Sequence, residues 1–158
     1  MTSVRLSTQD SYNLALGRTW MAWSRAHQDL ARFVARCDGG LYRLERYVAM
    51  DPKRLSKKAK NFGLPRHYRA TYQVLVDDRH ALAHAFVGNR TTRGSVAPSP
   101  DMLWRFKRTA EGRVIRNSMM DLERLEQLEG DSKKFSRSLS KYERAQRGAV
   151  RPSEMKIK

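Results

Sequence analysis

The chain of 158 residues is long enough for one domain with a real core and too short for two comfortable ones. Its 40% hydrophobic content suits a globular protein with some disordered sequence attached, and no apolar run approaches the roughly eighteen residues needed to cross a bilayer. A single cysteine, Cys37, excludes an internal disulfide framework and any multi-cysteine zinc site, while 32 Lys+Arg against 16 Asp+Glu, formally +16, call for a polyanion.

The opening "MTSVRLSTQD" lacks the apolar core of a signal peptide, so a reduced, cytoplasmic setting is expected. Ser7 with Asp10 three residues on resembles a capping box. Leu16, Trp20, Trp23, His27, Leu30, Val34 and Cys37 then recur at spacings of three and four, which predicts a long helix with one apolar stripe. "DGG" at 38–40 stops it. On another face of the same helix Arg18, Arg25 and Arg32 repeat every seven residues.

Residues 41–50 suit a short second helix. "DP" at 51–52 reads as an N-cap aspartate followed by proline at the first helical position, opening "KRLSKKAKNF", which ends at Gly63. Pro65 opens the next helix, expected to run to about Val87. Residues 88–100, rich in Gly, Thr, Ser and Pro, read as a loop. In 103–116 Trp104 and Phe106 alternate with basic residues around "AEG", which favours a two-stranded hairpin. Asn117 or Ser118 then caps a helix ending at Gly130. Residues 131–158 carry nine Lys/Arg and three Asp/Glu and are expected as a basic, partly disordered tail with one short amphipathic helix around Phe135, Leu139 and Tyr142. The expected fold is mainly α: a bundle of four to five helices over 1–130, with a small β-hairpin and the tail.

Arginine outnumbers lysine 22 to 10, and its planar fork suits phosphate. Nucleic acid is the leading partner and an anionic membrane surface the second. Lys53, Arg54, Lys57, Lys58 and Lys60 put five cations within eight residues, a candidate RNA-backbone contact or a solvated face.

The densest stretch of candidate chemistry is "DDRHALAHAF", 77–86. Tyr68, Tyr72, Leu75, Arg79, Leu82 and Phe86 share one helical stripe, so Arg79 stands where a bundle would place an apolar side chain. A buried guanidinium needs a partner or a wet site, and a structural ion pair with Asp78 or a glutamate is the plain alternative to a functional role. His27 breaks the stripe of the first helix in the same way; it reads as a satisfied core histidine, with the alternative that it lines a cleft facing Arg79. Asp77, His80 and His84 gather on another face and form a two-histidine, one-carboxylate set, but Ala81 stands where the zinc-protease motif needs Glu. Cys37, on the apolar stripe, reads as a small hydrophobe. Arg79 and His84 as a pair suit RNA cleavage: histidine moves the proton of the RNA's own 2′-hydroxyl, and arginine neutralises charge developing at phosphorus, with no metal or cofactor.

"RHALAH", 79–84, resembles the R-polar-x(3–5)-H signature of HEPN-domain proteins, with Arg79, polar His80 and His84 in the motif positions. The resemblance is specific over about twenty residues and architectural elsewhere. It implies a helical bundle, a homodimer whose two motifs meet in one cleft, and metal-independent endoribonuclease activity of the toxin or antiphage-effector kind. Catalysis would then fall to Arg79, His84 and His80, with Asp77, Asp78 and His27 in support, and an antitoxin or regulatory protein is an expected partner. In the branch controlled by nucleotidyltransferase antitoxins a tyrosine follows the histidine by two residues; here that residue is Phe86, which has no hydroxyl to modify. The alternative from another class is a non-catalytic nucleic-acid-binding or interaction module of the same ancestry.

Overall fold

In the computed structural model residues 8–83, 86–87, 103–108 and 114–149 are described, with side chains described for 10–83 and 121–148. Helix α1 (Thr8–Cys37) is followed by a 3-10 turn (Leu41–Arg43) and by α2 (Leu44–Val48), α3 (Pro52–Asn61) and α4 (Arg66–Ala83). Strands β1 (Phe86–Val87), β2 (Leu103–Arg108) and β3 (Val114–Met120) come next, and α5 (Leu122–Ala149) closes the order. The protein is mainly α, as its periodicity requires.

Local signals place the boundaries. Gly40 N–H reaches back to Ala35 O at 2.9 Å across Gly39, whose φ of 103° ends α1 in a conformation that costs glycine little. The Asp51 carboxylate accepts from the backbone N–H groups of Lys53 (3.0 Å) and Arg54 (3.2 Å), with Pro52 at the first helical position, so α3 has the expected cap. Gly63, at φ 78°, closes α3; Leu64 N–H bonds Ala59 O and Gly63 N–H bonds Lys60 O, both at 3.0 Å, in a Schellman arrangement.

Helix α1 is buried on two sides. Trp23, His27, Leu30 and Val34 form one buried stripe, from which His27 meets Val48 of α2 and Tyr72 of α4 and Trp23 meets Arg79 of α4, whereas Tyr12, Ala15, Thr19, Ala22, Ala26 and Phe33 form a second. Small residues in that second stripe let α5 lie close, and Thr19 Oγ1 donates to Leu125 O at 2.9 Å inside the contact. Helix α5 answers with Leu125, Leu128, Ser132, Phe135 and Leu139, spaced three and four apart. Residues 18 and 19 of α1 meet Glu129 and Leu125 near the start of α5, and Arg36 near the end of α1 meets Glu143 further along it, so α1 and α5 run parallel. Helix α4 runs against both, pairing Tyr68 with Tyr142, Tyr72 with Phe135 and Asp78 with Arg124.

Several expectations are corrected. Helix α4 ends at Ala83; Phe86 and Val87, aromatic and β-branched, pair instead with Trp104 and Leu103, so the predicted hairpin gains a third strand in the order β1-β2-β3. Asn117 and Ser118 lie in β3, and the cap of α5 is Asp121, whose carboxylate accepts from Arg124 N–H at 2.8 Å. The boundary at 130 disappears, because α5 continues through Gly130 to Ala149. A glycine inside a helix costs about 1 kcal/mol; burial of Phe135 and Leu139 against the core, at about 1.5–3 kcal/mol each, outweighs it. Residues 131–149 therefore belong to the bundle and 150–158 lie outside the described residues. Cys37, the last residue of α1, is exposed and not part of the buried stripe. No described helix is long and apolar enough to cross a membrane.

Candidate functional site

Arg79 is the polar break in the α4 stripe, and its side chain is directed at α1. Its guanidinium carbon lies 5.3 Å from the ring centre of Trp20 and 5.0 Å from that of Trp23. The one-turn spacing of the two indoles on α1 sets their rings 6.1 Å apart and makes both available to one cation. The Arg79 Nε and the Trp23 Nε1 are buried, and neither donates a hydrogen bond. Cation–π attraction of about 0.5–2 kcal/mol per ring is of the same size as the roughly 1–3 kcal/mol cost of an unmade buried hydrogen bond. The aromatic seat thus makes the position tolerable without consuming the guanidinium donors.

Among the described residues Arg79 does not make the ion pair that is its plain reading. Asp78 instead accepts from Arg124 Nη2 at 2.6 Å, tying α4 to α5, and no carboxylate is paired with Arg79 among the described residues.

Beside Arg79 opens a cavity of about 390 Å³, walled by Trp23 and His27 of α1, by Val48 to Met50, and by Asp51 and Pro52 at the start of α3. His27 and Arg79 thus line one space. His27 Nε2 donates to the Val48 carbonyl at 3.0 Å, which fixes the tautomer and leaves Nδ1 to accept from the Tyr72 hydroxyl at 2.5 Å. Burial, with the Arg79 charge adding to it, holds the His27 imidazole below its ordinary pKa, although the Val48 bond and Asp51 pull the other way. Tyr72 is pushed well above the usual phenol range, chiefly by burial and then by Asp51. Trp23 stacks on His27 at 5.3 Å and 20°, and His27 lies over Tyr72 at 6.3 Å. With both nitrogens engaged, His27 holds Tyr72 and α2 in place and is not poised to move a proton in the cavity.

The other predicted residues fall around this core. His80 is exposed on the next position of α4 and Asp77, also exposed, accepts from Gln73 Nε2 at 2.9 Å. His84 lies outside the described residues, so the Arg79–His84 pair and the Asp77/His80/His84 set are not brought together or kept apart here. Lys53, Arg54, Lys57 and Lys60 are exposed and Lys58 half-buried along α3, whose first residue, Pro52, lies at the cavity wall. Sequence reasoning had named neither Trp20 and Trp23 as the seat of Arg79 nor Asp51 as part of the wall. The available signal was their place on the same stripe as His27. The chain matches no protein-family model, no curated protein and no solved structure.

Proposed function

We propose that the chain is a metal-independent endoribonuclease of HEPN type, acting as a homodimer with the end of α4 at the cleft. The observation that supports this reading is Arg79: a cation seated on two indoles at a cavity wall, with no carboxylate partner among the described residues. An arginine whose charge is left unspent can stabilise a dianionic phosphorane. In the proposed step the RNA 2′-oxygen bonds to phosphorus as its proton leaves, the P–O5′ bond breaks, and the departing oxygen gains a proton. His84 is assigned the proton transfers, Arg79 the charge stabilisation and His80 a supporting polar contact. The products are a 2′,3′-cyclic phosphate and a 5′-hydroxyl.

A non-catalytic nucleic-acid-binding module is the second reading. It is favoured by His27, the histidine described at the cavity, having both ring nitrogens engaged. Mass spectrometry of RNA ends after incubation in excess EDTA separates the two. Cyclic phosphate and 5′-hydroxyl ends, lost in a folded His84→Ala protein, are the expected result. Ends bearing 5′-phosphate, or activity restored only by added zinc or manganese, count against the proposed chemistry, and intact RNA that is nonetheless bound favours the module.

A further inference from the structure

The seven-residue repeat of Arg18, Arg25 and Arg32 has no part in the cavity, which opens on another side of α1. These arginines border a groove of about 730 Å³ between the parallel helices α1 and α5. The opposite bank carries Arg137, Lys141 and Arg144 of α5. Carboxylates reach only part of this charge: Glu129 pairs with Arg18 at 3.3 Å and with Lys133, and Asp29 pairs with Arg32 at 2.7 Å. Arg25, Arg137, Lys141 and Arg144 have no ion pair among the described residues. In the wall between the banks Ser136, 9% exposed, has a buried hydroxyl with no hydrogen-bond partner.

From these features we infer that the α1–α5 groove is a track for a single strand of RNA, held through its phosphates and independent of base sequence. The inference rests on the reading of the chain as an RNA-acting protein and adds a binding surface apart from Arg79. Three physical arguments choose this occupant. Arginines seven apart on a helix rise about 10.5 Å, close to every third phosphate of a stacked strand at about 3.4 Å per nucleotide. Packed helices have axes about 8–10 Å apart, so the furrow between their side chains admits one strand and not a duplex. A protein partner would want an apolar or aromatic anchor, and the large apolar side chain in this groove is Met21 alone.

The test uses the full chain and a fluorescent twelve-nucleotide RNA carrying 2′-O-methyl groups throughout, so that binding is read without cleavage. Titrations from 50 to 200 mM salt compare the wild type with two variants of equal charge change. The groove variant R25Q/R137Q/K141Q/R144Q spares every ion pair described above; the comparison variant K53Q/R54Q/K57Q/K60Q changes α3, the rival cationic face for the same strand. Each lost phosphate contact lowers the salt slope by about 0.7 on single strands. The groove variant should therefore lose about two to three units of slope and at least tenfold in affinity, with the α3 variant losing far less. Ser140→Glu, an exposed single change in the groove, should weaken binding several-fold with an unaltered melting curve, which guards against misfolding of the multiple variant. Equal losses in the two charge variants, or an unchanged slope in the groove variant, would overturn the track. So would duplex RNA binding with the same groove dependence and equal strength, or a groove that takes poly-glutamate and not RNA. Cleavage retained alongside groove-independent binding removes the track and leaves the nuclease reading. Groove-dependent binding with no cleavage removes the nuclease reading and leaves the track.

Discussion

On one side of α1, Arg79 reaches across from α4 and lies over Trp20 and Trp23, beside a cavity and with no paired carboxylate among the described residues. On another side, Arg18 and Arg32 stand in a solvated groove paired with Glu129 and Asp29, among other cations that have no ion pair among the described residues. The guanidinium group is the same and the surroundings are not. Solvent and salt screen the groove, so each of its charges is worth little alone and the set acts by number. The cavity wall is partly desolvated, so the single charge of Arg79 acts at close range and is hard to replace. On the function proposed above, that difference corresponds to a division of labour in which the groove gathers a polyanion and Arg79 acts on one phosphate.

The sharpest way to break that comparison is Arg79→Ala. Removing one transition-state donor typically costs about 100- to 1,000-fold in turnover. Cleavage should fall by that much, while the affinity and salt slope for uncleavable RNA stay nearly unchanged, since one contact among many is lost. Arg79→Lys should restore little, because an ammonium lacks the planar fork that lies over two rings. A large loss of binding with a modest loss of rate would merge the two regions into one.

The packing that keeps the groove in register can be broken next. Ala26 is fully buried where α1 meets the rest of the bundle, and Leu in its place adds three carbons to a filled space. Overpacking of this kind costs about 1–3 kcal/mol, which for a chain of this size lowers the melting temperature by roughly 3–10 °C. Denaturation followed by circular dichroism reads this. A neutral Ala26→Leu would mean that the helices are looser than their small-residue stripe suggests.

How far the two regions could be read from residues alone follows from the same physics. Large apolar side chains at three- and four-residue spacing declare themselves, so Trp23, His27, Leu30, Val34, Tyr72, Leu75 and Leu82 were readable as stripes and are buried. Arg79 and His27 stood out as polar breaks within them. The Ala15–Thr19–Ala22–Ala26 stripe did not, because small residues carry little hydropathy and matter only once a partner helix is known to lie on them. That omission hid the α1–α5 contact, and with it the meaning of the arginine repeat. Gly130 misled for a related reason: a stop signal of about 1 kcal/mol is local, whereas Phe135 and Leu139 act through tertiary burial. The seat of Arg79 was half legible: Trp20 and Trp23 share the His27 stripe, but which of its residues meet Arg79 depends on the antiparallel packing of α1 and α4.

The smallest expected effect concerns the neutral histidine that separates the cavity from the core. Burial depresses the His27 pKa in the folded state below its usual 6.5. In the unfolded chain the imidazole titrates normally, so between the two pKa values the unfolded state holds more protons. Stability then rises with pH across that window. The contribution is fully present above about pH 6.5 and is lost as pH falls below it towards the folded value, since a buried imidazolium is poorly solvated and its new Nδ1–H forces the Tyr72 hydroxyl to turn from donor to acceptor. The melting temperature should therefore be lower at pH 5.5 than at pH 7.5. His27→Gln is expected to start less stable and to lose most of that difference. Any acid sensitivity that remains unchanged in His27→Gln must come from carboxylates such as Asp38, whose pKa is held down by the Tyr47 hydroxyl and Arg43. Turnover supplies the discriminating readout. A group that only positions Tyr72 and α2 should alter stability against pH without moving the pH profile of kcat, whereas a shift in that profile would make His27 a proton carrier and move the chemistry from the end of α4 into the cavity.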